Sequence, residues 1–268
     1  MKQRADIRLT ESGQVDSRQK AQALIMAGQV YLGERQIKKA SEMISEDETL
    51  TIRGPVDRIA SRGFHKLEKA IKVFQPPLDG RVCMDIGAAA GGFTDVLLRH
   101  GAGHVYAIDV GYGQFDYALS QDPRVTVMER TNARTLTRDV FDLQPTLAVM
   151  DVSFISITKI LPALIGIMGE AGRVITLVKP QFEAGRGLVG KKGVVREEST
   201  HRMVLRTIAD AADALQWSVR QFTYSPITGP KGNIEFLADL QPGLVPAPTD
   251  AEIATLVKEA HETLKKAD

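Results

Sequence analysis

The stretch Val82-Cys83-Met84-Asp85-Ile86-Gly87-Ala88-Ala89-Ala90-Gly91-Gly92-Phe93 decides the fold of this chain. An apolar run ends on a carboxylate, a glycine-rich turn follows, and residues 92–100 then read as a helix. The same alternation continues downstream. Apolar runs at 82–86, 104–109, 125–129, 147–152, 172–178, 218–224 and 234–239 predict seven strands. Helical patterns at 117–120, 158–168 and 198–214 fall between them. Strands alternating with helices argue for a parallel sheet covered on both faces. The last two strands, joined by a short turn, predict one reversed strand. A Pro- and Gly-containing linker follows residue 239, and 250–266 reads as a final amphipathic helix.

The turn itself has a chemistry. Glycines let the backbone turn tightly and approach a ligand closely. Asp109 ends the second strand, where a carboxylate can accept two ribose hydroxyls, as in other doubly wound nucleoside sites. The spacing is Asp-x-Gly-x-x-x-Gly, not the Gly-x-Gly-x-x-Gly of pyrophosphate binders, and no Gly-Lys-Ser/Thr loop is present. This points away from NAD and ATP and toward S-adenosylmethionine, which has no phosphate to cradle.

Composition sets the outer limits. The chain has 268 residues, 43% hydrophobic, a net charge of +1 and one cysteine. One cysteine makes neither an intrachain disulfide nor a Cys-based zinc site, and no metal site is expected. No apolar run reaches the roughly 20 residues of a membrane span. Residues 1–6 carry no apolar signal segment, so a cytoplasmic protein is expected. The charge is uneven. Residues 1–39 carry eight Lys and Arg against four acids, a basic bias suited to phosphate. Within them Ser17 reads as an N-cap, Ala21, Leu24 and Ile25 recur at helical spacing, and Gly28 stops the helix. A hairpin follows over Val30-Tyr31-Leu32, Gly33-Glu34 and Ile37, a further short strand over 49–52, and a linker at Arg53-Gly54-Pro55.

Four polar residues sit where apolar runs end. Lys66 lies just before the sheet begins, Asp151 ends the fourth strand, Lys179 ends the fifth, and Glu235 enters the last. In an open parallel sheet, ligands bind beyond the carboxyl ends of the strands, so Asp151 and Lys179 should converge there. Glu235 joins them if its strand is the reversed one. A ribose hydroxyl needs help to lose its proton, and burial or a second lysine would lower a lysine's pKa and make a neutral amine accessible. Cys83 and Trp217 read as packing, and His65 has no visible metal partner. The acid-free run of Arg186, Lys191, Lys192 and Arg196 reads as a basic loop at the mouth of the site.

Two resemblances draw these observations together. Arg4, Asp6, Leu9, Gly13, Ser17-Arg18, Ala21, Ile25, Gly28, Val30, Leu32, Ile37 and Lys39 resemble the S4 RNA-binding domain, with two departures in turn geometry, Gly33-Glu34 and Ala40. Residues 58–240 resemble the FtsJ-type (RrmJ-like) ribose methyltransferase domain. The stretches that carry this are Ser61-Arg62-Gly63, Lys66-Leu67, the loop 85–95, 109–114, 130–134, 151–156, 178–183 and Gly229-Pro230 with Gly232-Asn233. The whole chain resembles the TlyA, or hemolysin A, family.

The resemblance implies a doubly wound, seven-stranded Rossmann-like α/β methyltransferase sheet (58–268) behind a small α+β S4-like domain and linker (1–57). It implies S-adenosylmethionine as cofactor, and 2′-O-methylation of ribosomal RNA, at a cytidine, on the free RNA or a ribosomal subunit. The family's catalytic tetrad falls on Lys66, Asp151, Lys179 and Glu235. Cofactor contacts fall on Asp85, Gly87, Gly91, Gly92, Phe93, Asp109, Val110, Asn132, Ala133 and Asp151. RNA contacts fall on Arg4, Arg18, Lys20, Lys39, Arg62, Arg186, Lys191 and Lys192. Ala89-Ala90 stands where family members often have Ser-Thr. Two other classes remain: a pore-forming hemolysin, disfavoured by the missing export signal and spanning segment, and a catalytically silent RNA-binding assembly factor, disfavoured by the intact tetrad.

Overall fold

The structure is a computed structural model and describes residues 2–15, 17–45, 47–52, 61–190 and 192–264; the side chain of Arg186 is outside the description. Contacts divide the chain into two compact units, Met1–Ile59 with Asp116–Asp122, and Ala60–Phe115 with Pro123–Asp268.

The first unit comprises β1 (Lys2–Arg4), α1 (Ala5–Glu11), α2 (Arg18–Met26), β2 (Val30–Leu32), β3 (Arg35–Gln36), β4 (Met43–Ser45) and β5 (Leu50–Ile52). Ser17 caps α2, its hydroxyl accepting from Lys20 N at 3.3 Å. After Gly28 the chain turns into the β2–β3 hairpin. Strand β5 pairs with β2, completing a three-stranded sheet, while β1 pairs separately with β4. Leu9, Ile25, Val30, Ile37 and Ile44 close a small core. Helix α1 is an element that the periodicity reading does not contain. It is a seven-residue helix held from outside, with Ala5 N donating to Glu42 O and Asp6 N to Ala40 O.

The second unit begins with α3 (Gly63–Phe74) and continues through β6 (Val82–Ile86), α4 (Gly92–Arg99), β7 (His104–Ile108) and β8 (Val125–Met128), while α5 (Tyr117–Ser120), between β7 and β8 in the chain, groups with the first unit. Then come β9 (Leu147–Met150), α6 (Leu161–Met168), β10 (Arg173–Val178), α7 (Pro180–Glu183), α8 (Glu198–Asp213), β11 (Trp217–Tyr224), β12 (Phe236–Pro242) and α9 (Asp250–Leu264). The sheet order is β11-β12-β10-β9-β6-β7-β8. Pairing is parallel from β10 to β8, and β12 runs antiparallel to both its neighbours. All seven predicted strands are present, and the reversed one is the last. One detail differs. The expected short turn before it is the longer connection 225–235, so Glu235 precedes the strand rather than lying inside it.

The near-continuous apolar strands read as buried, and they are. Met84, Ile86, Ile108, Met150, Val174 and Phe236 lie in one core with α6, α8 and α9. Trp217 is buried there too. The Cys83 thiol is buried, and desolvation pushes its pKa up to about 12, which leaves it unreactive. Among the described residues, no helix is long and apolar enough to cross a membrane.

Candidate active site

The chain builds β6, β7 and β8 outward in one direction, then returns to place β9 on the other side of β6. The crevice at such a reversal, beyond the carboxyl ends of the strands, is where ligands sit in open α/β sheets. The glycine loop leaves β6 there. Gly87 has φ +82°, and a Cβ at this position would collide with the backbone carbonyl of Asp151 at the end of β9. Gly91, at φ +88°, is the N-cap of α4. Both positions need a residue without a side chain.

Asp109 faces this loop. Its Oδ2 accepts from Ala89 N at 2.9 Å and its Oδ1 from Gly111 N at 2.6 Å. A carboxylate has about four lone-pair sites, so two remain for ribose hydroxyls. Asp85 is fully buried. Its Oδ2 accepts from Thr94 N and Thr94 Oγ1, while Oδ1 has no hydrogen-bond partner. Burial raises its pKa to about 7, against the two Thr94 donors. This orphaned acceptor beside an open glycine loop fits a cofactor with a cationic amino group. Val110 and Asn132 are exposed, and Ala133 is buried. The Phe93 side chain is buried, with the ring at ordinary contact distance from the Cβ position of Gly63, so it packs α4 to α3.

The four chain-distant polar residues converge. Lys66 comes from α3, whose buried face is Lys66, Leu67, Ala70 and Phe74. Lys66 Nζ donates to Glu235 Oε2 at 2.8 Å and reaches Asp151 Oδ2 at 3.5 Å. Lys179 Nζ forms an ion pair with Asp151 Oδ1 at 2.5 Å and donates to Ser153 Oγ at 2.9 Å. The register explains the convergence: Val178 lies opposite Phe236 across the antiparallel β10–β12 pair, so Lys179 and Glu235 leave the sheet side by side. The charges therefore alternate as Glu235, Lys66, Asp151, Lys179. Burial opposes the Lys66 ammonium, but Asp151 and Glu235 outweigh it and its pKa is raised. Two carboxylates thus hold Lys66 charged.

Several neighbours escaped the sequence reading. Gln181 Nε2 lies 3.4 Å from Glu235 Oε1. Asn233, buried, accepts from Val195 N at 3.0 Å and donates to Gly193 O at 2.9 Å, fastening the glycine-rich basic loop. A groove of about 760 Å³ opens beside the tetrad, lined by Arg134, Phe154, Lys159, Gln181, Phe182 and Gly190 among others. Phe154 is 90% exposed. All of these but Lys159 and Gly190 lie in the motifs quoted above, but no spacing rule distinguishes them from turn residues.

The basic candidates separate. Arg62, at the start of α3, and Lys192 are exposed. Lys191 and the Arg186 side chain lie outside the described residues. Lys20 and Lys39 are exposed on the first unit. Arg4 and Arg18, read from sequence as phosphate contacts, are also partners of Asp6, with side chains 36% and 53% exposed. Arg4 holds both Asp6 oxygens at 2.9 Å, and Arg18 Nε holds Oδ2 at 2.9 Å. Asp6 is fully buried and needs those donors.

A seven-stranded sheet with a glycine loop at β6, joined to a small helix-and-hairpin unit, defines an FtsJ-like methyltransferase carrying an S4 domain. Family comparison agrees: the FtsJ-like methyltransferase family matches residues 59–241 and the S4 domain residues 3–50. The chain is 43% identical to the 16S/23S rRNA (cytidine-2′-O)-methyltransferase TlyA of Mycobacterium tuberculosis, over 87% of each chain. It is 39% identical to Hemolysin A of Brachyspira hyodysenteriae, over 88% of this chain and 98% of the other. A solved hemolysin-type structure from Streptococcus thermophilus superposes with a TM-score of 0.75 at 43% identity, covering 99% of this chain and 98% of that one. The chain belongs to the TlyA (hemolysin A) family of S4-containing FtsJ-like methyltransferases.

Proposed function

We propose that this chain methylates the 2′-hydroxyl of a cytidine in ribosomal RNA, using S-adenosylmethionine, in the cytoplasm. The observation that carries the reading is the alternating charge chain Glu235–Lys66–Asp151–Lys179 at the strand ends beside the glycine loop. Its relatives named as rRNA (cytidine-2′-O)-methyltransferases supply the substrate class.

When bound, S-adenosylmethionine supplies an electrophilic methyl group on a sulfonium whose departure leaves a neutral thioether. Gly87 and Gly91 would leave room for its methionine part, Asp85 Oδ1 would meet the amino group, and Asp109 the ribose. Val110, Asn132 and Ala133 would border the base. What remains for the tetrad is alignment of the hydroxyl and removal of its proton. Lys66 stays charged and fixes Asp151 and Glu235. Asp151 in turn holds Lys179, which, once its ammonium has given a proton to water, orients the 2′-oxygen and takes its proton. The S4 unit, residues 1–57, would supply RNA affinity through Lys20 and Lys39. Arg62, Arg186, Lys191 and Lys192 would grip RNA at the site itself.

The test is to incubate purified protein with unmethylated ribosomal subunits and S-adenosylmethionine, then map ribose methylation. A new 2′-O-methylcytidine, absent with Lys179→Ala, is expected. Absence of any ribose methylation on either subunit by the wild-type protein would reject the reading.

A further inference from the structure

Two stretches of the sequence, Ser153-Phe154-Ile155-Ser156 and Pro180-Gln181-Phe182-Glu183, are not accounted for by the tetrad. The first leaves the end of β9 just after Asp151, and the second leaves β10 just after Lys179. Between Asp151 and Ser156 the chain has no regular structure and no ladder to hold it. Phe154 nevertheless adopts φ +66°, a left-handed conformation that a bulky side chain rarely takes, while its ring is pushed into solvent. Such a backbone persists only where its surroundings over-determine it.

The surroundings here are three tethers, all from residues 179–183. Lys179 Nζ donates to Ser153 Oγ at 2.9 Å. The Phe154 and Phe182 rings meet at 5.0 Å between centroids. Glu183 uses both oxygens: Oε2 accepts from Ser156 Oγ at 2.6 Å and Oε1 from Ile157 N at 2.9 Å. Ile157 is itself buried, which anchors the far end of the loop in the core. Glu183 is the only one of the three tethers that carries a charge without touching the tetrad. Burial raises its pKa, while its two donors act to lower it. A carboxylate placed there at such a desolvation cost has two specific partners, and both lie on the loop that bears Asp151.

We propose that Glu183 is a positioning residue: by clasping Ser156 and Ile157 it locks the loop after β9 onto the turn after β10, and so sets the Asp151–Lys179 pair and the Phe154 wall of the groove. The proposal rests on the methyl-transfer reading of this site, with Glu183 acting through Asp151 and Lys179. Glu183→Ala removes both hydrogen bonds. Glu183→Gln keeps one acceptor for Ile157 N and can donate its amide to a rotated Ser156 hydroxyl, so it should rescue in part.

The full-length protein is compared with Glu183→Ala, Glu183→Gln and Ser156→Ala by hydrogen exchange and steady-state kinetics. In Glu183→Ala, exchange in the peptide spanning 151–160 should rise while the β6 and β10 peptides stay protected. Its kcat should fall by about 10²-fold, the scale of a small misplacement at a reacting centre. S-adenosylhomocysteine affinity and the KM for ribosomal subunits should stay within about threefold, with Glu183→Gln in between. Unchanged exchange at 151–160 in Glu183→Ala, or in Glu183→Gln should the alanine variant not fold, overturns the clasp. Raised exchange with wild-type kcat overturns the positioning role. A wild-type protein that methylates no ribosomal RNA defeats the functional reading instead, while the exchange data still report on the clasp.

Discussion

Two charge clusters in this molecule use the same ingredients and arrive at opposite ends. Around Asp6, one fully buried carboxylate collects donors from Arg4, Arg18 and Gln22, all within sixteen residues along the chain. These donors hold its pKa far below the ordinary carboxylate range, Arg4 most strongly, against the cost of burial. The cluster is complete, and it ties α1 to α2. In the other unit, Lys66 bridges Asp151 and Glu235 across separations of 85 and 169 residues. There the charges form a line that ends on Lys179, paired with Asp151. A closed cluster is a staple. A line with an open end can act on something else.

The largest expected effect tests that last member. Lys179→Ala should lower kcat for ribosomal RNA by about 10²–10⁴-fold, the range for loss of a general base. Lys179→Arg should fall nearly as far, because a guanidinium keeps its proton. Binding of S-adenosylhomocysteine, followed by calorimetry, should be retained in both. Near-normal turnover of the arginine variant would make Lys179 a charge clamp and nothing more.

Removing the bridge rather than its end should cost stability as well. Lys66→Met leaves Glu235, 1% exposed, without its cation, and stranding a buried charge costs about 3–5 kcal/mol. Asp6→Asn should cost less, about 1–3 kcal/mol, because the side chains of Arg4 and Arg18 are partly exposed and can turn to water. Denaturant melts of the two variants rank the clusters directly. Equal losses would mean that the line is as much a staple as Asp6 is.

Asp85 gives a pH signature. Its folded pKa, about 7, lies above the ordinary carboxylate value because of burial. A raised acid holds an extra proton when folded, so its contribution to stability is present below about pH 4 and is lost as pH rises through about 7. The ligand-free wild-type protein should therefore lose stability from pH 4 to pH 7 by more than Asp85→Asn does. Parallel thermal-midpoint profiles for the two proteins would contradict this assignment.

The smallest effect separates a paired base from an unstapled one. Lys39→Ala should reduce the salt slope of RNA binding by about one with an unchanged melting temperature. Arg18→Ala should lower the melting temperature of the S4 unit, because it breaks a hydrogen bond to Asp6. Filter-binding titrations at several salt concentrations, alongside melts, distinguish the two.

The sequence by itself determined what depends on near neighbours or on strand period. Seven apolar runs had no use but buried strands. Gly87 and Gly91 stood in a turn that needs a tight backbone, Ser17 could cap only the helix that follows it, and the motif residues marked the strand ends. One reversed strand was legible as well, but the pairing of β12 decided which it is and on which side Glu235 emerges. Helix α3, whose Leu67, Ala70 and Phe74 share a buried face, is not in the sequence reading. Only the tertiary structure decided what each charge faces. Arg4 and Arg18 read as phosphate ligands, and only folding showed that each also donates to the buried Asp6; Lys66 read as one of four polar strand-end residues, and only folding set two carboxylates on it. Glu183 looked like one more acid in a turn. A side chain's charge is written in its own residue, but its availability is set by partners up to 169 positions away, and the chain brings those together only by folding.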